Sequence, residues 1–262
     1  MLALVSYLVL GSAVGVVAGL FGVGGGLIIV PALVMLFGYQ QLFPDAAVHV
    51  AIGTSLATII VTSIASTRAH HRHGAVLWDA VRGLAPGLLI GTLLGALVAN
   101  LLSTNALRWV FGIFELVVAA QIALDVKPSP HRTLPGIAGM SLVGTFIGAV
   151  SSLIGIGGGT LTTPFLLWCN KAIHNAVATS AACGLPIAVG GTISFIIVGW
   201  NVTGDAPYTS GYVYWPAAAG IGAATLVFAP LGARLAHRLP RRTLKLWFAA
   251  LLAVLGTRML LG

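Results

Sequence analysis

The chain has 262 residues, of which 58% are hydrophobic and 7% are charged, with a formal net charge of +8 at pH 7. Soluble domains carry about a quarter charged residues, so this composition excludes a soluble globular protein. The lysines and arginines lie in short segments between apolar runs, where cytoplasmic retention explains them, and this argues against nucleic-acid binding.

Long uncharged runs cover residues 1–44, 133–170 and 172–204. A helix needs roughly 20 apolar residues to cross the hydrocarbon core of a bilayer, and each run is longer than that. The runs are continuous rather than alternating, which is not the pattern of a membrane β-barrel. The sequence therefore predicts an all-α polytopic membrane protein.

Ten apolar segments follow one another along the chain, five in each half. The predicted segments are 2–21, 27–37, 46–66, 75–101 and 106–125, then 135–154, 160–168, 173–199, 213–237 and 243–261. The second segment of each half is too short to cross at 1.5 Å per residue. Each half is thus predicted to hold a glycine-rich broken or re-entrant helix pair followed by three transmembrane helices.

The two halves repeat one pattern. The glycines, leucines and proline of residues 15–33 recur at a constant offset in residues 148–166. A later block sets the region of Trp78 against that of Trp215. We therefore expect one transmembrane domain, 1–262, made of repeats 1–126 and 134–262.

The distribution of charge predicts that the repeats are inverted. Arg68 and Arg72 follow the third segment of the first repeat, whereas the matching loop of the second repeat carries only Asp205. In the next loop the bias reverses, because most basic residues there fall in residues 238–245. By the positive-inside rule the halves face opposite ways, with both termini outside. Inverted halves can open a central site alternately to each side.

The glycine clusters of residues 22–26 and 155–159 are the first candidate site. Glycine lets the backbone leave helical geometry, and a helix that begins after it presents free N–H groups and a positive dipole end to an anion. No Walker lysine follows, so a nucleotide site is disfavoured, and close helix packing is the alternative. The predicted substrate-binding glycines are Gly24, Gly25, Gly26, Gly157, Gly158 and Gly159.

Two hydroxyl pairs recur in the next span of each repeat. Thr54 and Ser55 match Thr179 and Ser180. Hydroxyl groups donate hydrogen bonds to oxyanions, so these residues are predicted to complete the substrate site. The alternative is that each hydroxyl bonds back to the preceding helical turn.

Three ionisable residues are candidates for proton coupling. His49 and His174 match each other between the repeats, although a histidine near a helix end more often lies at the interface. Glu115 lies in the middle of an apolar span, where a carboxyl group is costly, and its repeat mate is Leu252. A structural hydrogen bond is the alternative for Glu115.

No metal-ligand spacing and no catalytic motif occurs, so we predict no metal, no cofactor and no enzymatic activity. At Gly22–Pro31, Thr54–Ser55, Gly155–Pro164 and Thr179–Ser180 the chain resembles the TauE/SafE family of sulfite exporters over its full length. The resemblance implies transport of sulfite, or of sulfonates such as sulfoacetate or taurine, across the bacterial inner membrane.

The expected partners are therefore a small anionic substrate, the lipid bilayer and a coupling proton or cation. The expected mechanism is a secondary transporter that works by alternating access. A passive anion channel and a transporter of a non-sulfur carboxylate are the alternatives.

Overall fold

The computed structural model describes residues 2–21, 25–125, 132–202, 206–236 and 240–262. These residues form ten helices and one short hairpin. The elements are, in chain order, α1 (Leu2–Phe21), α2 (Gly26–Tyr39), α3 (Ala47–Arg72), α4 (Trp78–Leu101), α5 (Thr104–Ala123), α6 (Ile137–Ile154), α7 (Gly159–Trp168), α8 (Ile173–Gly199), β1 (Thr209–Ser210), β2 (Val213–Tyr214), α9 (Trp215–Ala236) and α10 (Arg241–Leu261).

Eight of these helices are long and apolar enough to cross a membrane, and the exceptions are α2 and α7. With 14 and 10 residues, α2 and α7 are about 21 Å and about 15 Å long at 1.5 Å per residue. Both are shorter than a hydrocarbon core of about 30 Å. The prediction of an all-α polytopic membrane protein is confirmed.

One element differs from the prediction. The sequence predicted a helix from residue 213, but Thr209–Ser210 and Val213–Tyr214 pair as antiparallel strands, and the helix begins only at Trp215. Gly211 adopts a positive φ of 53° at the turn between the strands. A positive φ favours glycine and ends regular structure, so the chain turns back before α9 begins.

Two pairs of parallel helices form the flanks of the bundle. α4 packs along α6, and a Cβ atom added at Gly87, Gly91 or Gly95 would overlap backbone carbonyl oxygens of α6. α1 packs in the same way along α9, where a Cβ at Gly11 would lie 2.7 Å from the backbone of Ile221. Small residues four apart let membrane helices approach this closely.

Two other pairs are antiparallel. In the pair of α3 and α8, a Cβ atom added at Gly191 would lie 2.9 Å from Leu56, and one added at Gly184 would lie 2.7 Å from Ser63. The later residue of α3 thus meets the earlier residue of α8, so the two helices run in opposite directions. α5 lies antiparallel to α10, because Gly112 contacts Gly256 while Asp125 pairs with Lys245 at the other end.

Enlarging Gly91 is expected to destabilise the protein. The added methyl group of Gly91→Ala has no room against the carbonyl oxygen of Thr145, and overpacking of this kind costs about 1–3 kcal/mol. Thermal unfolding in detergent measures the effect. The control is Gly38→Ala in α2, where the Cβ meets nothing within 4 Å and alanine favours the helix. Equal melting temperatures for the two variants would contradict this packing.

Candidate substrate site

The two glycine turns lie against each other. α2 begins at Gly26, directly after Gly25 in the left-handed conformation (φ 78°), and α7 begins at Gly159 after Gly158 with φ 75°. A Cβ atom added at Gly26 would lie 2.6 Å from the carbonyl oxygen of Gly155. The chain approaches itself here more closely than a side chain allows, which explains the glycine. Gly24 lies outside the described residues.

The start of α7 offers backbone donors. Its first helical hydrogen bonds run from the N–H groups of Leu161 and Thr162 to the carbonyl of Gly158. The N–H groups of Gly159 and Thr160 come before these bonds and have no acceptor within the helix. Both residues stand at the positive end of the helix dipole, where an anion is stabilised.

A cavity of about 410 Å³ lies beside this helix start, and we name it the central cavity. Gly157 and Gly159 line it, and most of its other walls are apolar. Its polar side chains are those of Thr62, Ser63, Ser66, His70, Ser180 and Thr225. Among the described residues no carboxylate, lysine or arginine lines the cavity. Hydroxyl groups and a helix N-terminus can bind an anion without a buried cation.

Ser180 is the one predicted hydroxyl that the structure places in the central cavity. Its Oγ accepts a hydrogen bond from Thr163 at 2.9 Å and donates to the carbonyl of Val177 at 2.9 Å. Ser55 lies outside the cavity lining and donates to the carbonyl of Gly155 at 2.9 Å. Ser55 therefore fixes the glycine turn at whose end α7 begins.

Thr54 and Thr179 hold the two halves together. The Thr54 hydroxyl accepts a hydrogen bond from the N–H of Tyr214, just before α9, at 3.0 Å. The Thr179 hydroxyl accepts from the N–H of Leu77, just before α4, also at 3.0 Å. Both hydroxyls satisfy a backbone donor in the opposite half of the chain, and neither lines the central cavity.

The sequence analysis missed the hydroxyl groups of α3 that line the cavity. Thr62 and Ser66 are four residues apart and therefore share one face of α3, with Ser63 beside them. A row of hydroxyls at this spacing in an otherwise apolar helix is the signal that could have identified them. The Thr62 hydroxyl donates back to the carbonyl of Ile59 at 3.1 Å, so Ser63 and Ser66 are the two donors that these side chains add to the cavity wall.

The candidate coupling residues lie away from the central cavity. His49 is buried, and its Nε2 lies 3.0 Å and 3.1 Å from the carbonyl oxygens of Ala99 and Leu102 at the end of α4. His174 is exposed in the first turn of α8. Glu115 is fully buried next to Gly256 of α10, and its carboxyl oxygens have no hydrogen-bond partner in the described part of the chain.

The central cavity extends toward the basic end of the bundle. Its lining runs from Gly157 to His70, which lies in the last turn of α3 between Arg68 and Arg72. Asn175 at the start of α8 donates a hydrogen bond to the carbonyl of Ala75 just beyond this turn. The start of α8 and the end of α3 thus lie at the same end.

Aromatic side chains fill the opposite end. Tyr212, from the hairpin, stacks on His49 with ring centroids 5.0 Å apart, and a Cβ added at Gly199 would lie 2.5 Å from its ring. Its hydroxyl donates to the side-chain oxygen of Asn100 at 2.8 Å. Burial raises the pKa of the Tyr212 phenol, which favours this neutral donor form. Phe195 packs edge-on against the same ring.

Eight helices long and apolar enough to cross a membrane, two short helices that start at facing glycine turns, and a cavity with several hydroxyl groups at the start of the second short helix are the architecture of a membrane transporter. A family model described as Sulfite exporter TauE/SafE matches residues 7–259. The chain belongs to the TauE/SafE family of membrane transporters.

Curated relatives agree with this class. A probable membrane transporter protein of Haemophilus influenzae is 37% identical over 256 residues, which cover 97% of each chain. A probable membrane transporter protein of Methanocaldococcus jannaschii is 30% identical and covers 97% of this chain and 94% of its own. The probable membrane transporter protein YunE of Bacillus subtilis is 30% identical, with 96% and 95% covered. No solved structure matches the chain significantly.

Removing the Thr54 hydroxyl is expected to destabilise the protein. Thr54→Val keeps the shape of the side chain but leaves the buried N–H of Tyr214 without its acceptor, at a cost of about 1–3 kcal/mol. Thr54→Ser should retain most of the stability. The control is Thr257→Val, because the Thr257 hydroxyl only bonds back to Ala253 within α10. A melting temperature of Thr54→Val equal to that of the control would refute the role of this hydrogen bond.

Proposed function

We propose that the protein is a secondary transporter of small sulfur oxyanions or organosulfur anions, such as sulfite, sulfoacetate or taurine. The observation that carries the proposal is the central cavity at the start of α7, which joins backbone donors to the hydroxyls of Ser63 and Ser180. An oxyanion needs several donors directed at its oxygens, and this lining supplies them. Gly157, Gly159 and Ser180 contact the substrate in this proposal, whereas Thr54, Ser55 and Thr179 support the frame.

The pattern of helix contacts supports inverted repeats 1–126 and 134–262. The corresponding helices α3 and α8 touch each other and are antiparallel, as are α5 and α10. The flanking pairs exchange partners between the repeats, since α1 packs on α9 just as α6 packs on α4, whereas each short helix packs on the next helix of its own repeat. The two threonine hydrogen bonds obey the same exchange. A two-fold axis in the membrane plane relates helices in this way and is typical of alternating-access carriers.

The basic residues support an orientation with the central cavity open to the cytoplasm. Arg68 and Arg72 lie at the cavity end, and the Arg132 N–H donates to Trp168 close to Lys171 at the start of α8. Positive residues favour the cytoplasmic side. With this orientation both termini lie outside the bacterial inner membrane, and the aromatic end around Tyr212 closes the outer side.

Uptake into proteoliposomes tests the proposed substrate site. Ser63→Ala removes one donor to the anion, and a hydrogen bond to a charged group contributes about 1.5–3 kcal/mol, so KM for sulfite or taurine should rise about tenfold or more. Ser180→Ala should raise KM by less, because the Ser180 hydroxyl must leave the carbonyl of Val177 to donate to the anion. The control is Ser12→Ala in α1, whose hydroxyl bonds back to Leu8. Wild-type KM in both cavity variants would refute the site.

The same vesicles separate a carrier from the alternatives. A carrier shows saturable uptake and counterflow, in which unlabelled anion inside accelerates entry of labelled anion, whereas a passive anion channel shows no counterflow. Competition by acetate or malonate tests a non-sulfur carboxylate as the substrate. Transport of carboxylates with no competition by sulfite or sulfonates would overturn the substrate proposal.

Glu115 and His49 are the residues that we propose for proton coupling. Glu115→Gln removes the exchangeable acid but keeps the size of the side chain, so the packing beside Gly256 should persist. Counterflow of the anion should continue in this variant. A pH gradient should no longer drive the anion to a higher concentration inside the vesicles than outside. Gradient-driven accumulation that is unchanged in Glu115→Gln would exclude this residue from coupling.

A further inference from the structure

A second cavity lies at the aromatic end of the bundle, away from the central cavity. It measures about 510 Å³, and we name it the polar vestibule. Its lining comes from the segment before α3, the end of α4, the start of α5 and the hairpin. The lining residues used below are Asp45, Ala46, His49, Ser103, Thr104 and Arg108. Tyr212 lines the vestibule and stacks on His49.

Two long helices begin side by side at the polar vestibule. α3, with 26 residues, begins after Ala46, which gives no side-chain cap. α5, with 20 residues, begins after Ser103, whose side chain accepts from the N–H of Ala106 and leaves the other first-turn donors uncapped by that side chain. The Thr104 hydroxyl donates to the carbonyl of Asp45 and ties the two starts together. The positive ends of two helix dipoles therefore meet at one cavity.

Arg108 adds a positive charge in the second turn of α5. A cation near a helix N-terminus is unfavourable unless an anion compensates it. Among the described residues no carboxylate lies within ion-pair distance of Arg108, and its buried Nε has no hydrogen-bond partner. The matching residue of the second repeat, Lys245, is instead paired with Asp125. Of these two matching cations, only the one at the polar vestibule lacks a carboxylate side chain as its partner in the described part of the chain. The end of α10 lies beside it, because a Cβ at Gly262 would be 3.7 Å from the Arg108 guanidinium.

His49 is an independent sign of a ligand. Its side chain lines the vestibule but is only 5% exposed, and Nε2 is used by the carbonyls of Ala99 and Leu102. Its Nδ1 is buried and has no partner in the described part of the chain. Nε2 faces two carbonyl oxygens and therefore carries the ring proton, so Nδ1 is an acceptor. A buried acceptor without a partner costs free energy unless the O–H group of a water or of a ligand satisfies it, which places a water between His49 and a bound oxyanion. Asp45 is the exposed carboxylate of the lining and opposes an anion.

From these observations we propose that the polar vestibule is a binding site for a small oxyanion, separate from the central cavity. The guanidinium of Arg108 and the first-turn N–H groups of α3 and α5 hold the anion, and His49 closes the inner wall of the site. The site does not depend on which substrate the central cavity carries. It lies on the face that the proposed orientation places outside the cell.

Sulfate binding to the full-length protein in lipid nanodiscs tests the proposal. Isothermal titration with sodium sulfate, against sodium chloride at equal ionic strength, should give a saturable sulfate signal. In Ser63→Ala, which weakens the central cavity, the signal that remains should be one site, that of the polar vestibule. Arg108→Gln should weaken sulfate binding about tenfold or more, because it removes a charged hydrogen-bond donor. Asp45→Asn should tighten binding, because it removes the opposing charge. Lys245→Gln is the matched control and should bind sulfate as the wild type does.

Two further variants separate loss of the sulfate site from a folding defect and from failure of the transport proposal. Arg108→Lys keeps the charge and should retain weakened binding, so a folding defect in Arg108→Gln is separable from loss of the site. Ser180→Ala impairs only the central cavity and should bind sulfate normally, so failure of the transport proposal leaves this test intact. The proposal is overturned if the wild type gives no sulfate signal, if Arg108→Gln and wild type bind equally, or if Ser180→Ala abolishes the signal.

Discussion

The structure depends on one constraint, which is that backbone polar groups inside a membrane must find partners within the protein. Two helices of this chain begin at glycine turns rather than crossing the membrane, and each start exposes N–H groups that the helix cannot satisfy. The glycine turn before α7 also leaves the carbonyl of Gly155 outside the helix, and the Ser55 hydroxyl satisfies this acceptor. The donors that are left at the start of α7 face a cavity that water or an anion can enter.

Close packing of the surrounding helices stabilises the fold around the two glycine turns. The parallel pairs α1 with α9 and α4 with α6 contact through glycines whose neighbours leave no room for a methyl group, so these pairs act as rigid flanks. Between them α3 and α8 are held by cross-half hydrogen bonds from Thr54 and Thr179. A hydroxyl that satisfies a backbone N–H in the other half links the starts of α4 and α9 to the helices that border the cavity.

Most of the fold could be predicted from the sequence, because the length and hydrophobicity of a segment identify it as a membrane helix. The sequence also predicted the short segment after each glycine cluster and singled out the recurring Thr-Ser pairs. What the sequence could not reveal was the direction of each hydroxyl: Thr54 and Thr179 turn to backbone donors, and only Ser180 among the four enters the cavity. Strand formation before α9 was missed because strands of two residues, one on each side of the Gly211–Tyr212 turn, are too short to show an alternating pattern.

The duplicated pattern explains the frame, and the positions where the copies differ point to function. Corresponding loops place Ala75 at one end of the bundle and the bulky Tyr212 at the other, where it stacks on His49 and lines the polar vestibule instead of the central cavity. Arg108 lacks a described carboxylate partner, whereas its counterpart Lys245 has one in Asp125. In the proposed inverted arrangement, two identical halves would present the same groups to both sides of the membrane. These departures from the repeat are therefore the places where the two faces of this chain differ.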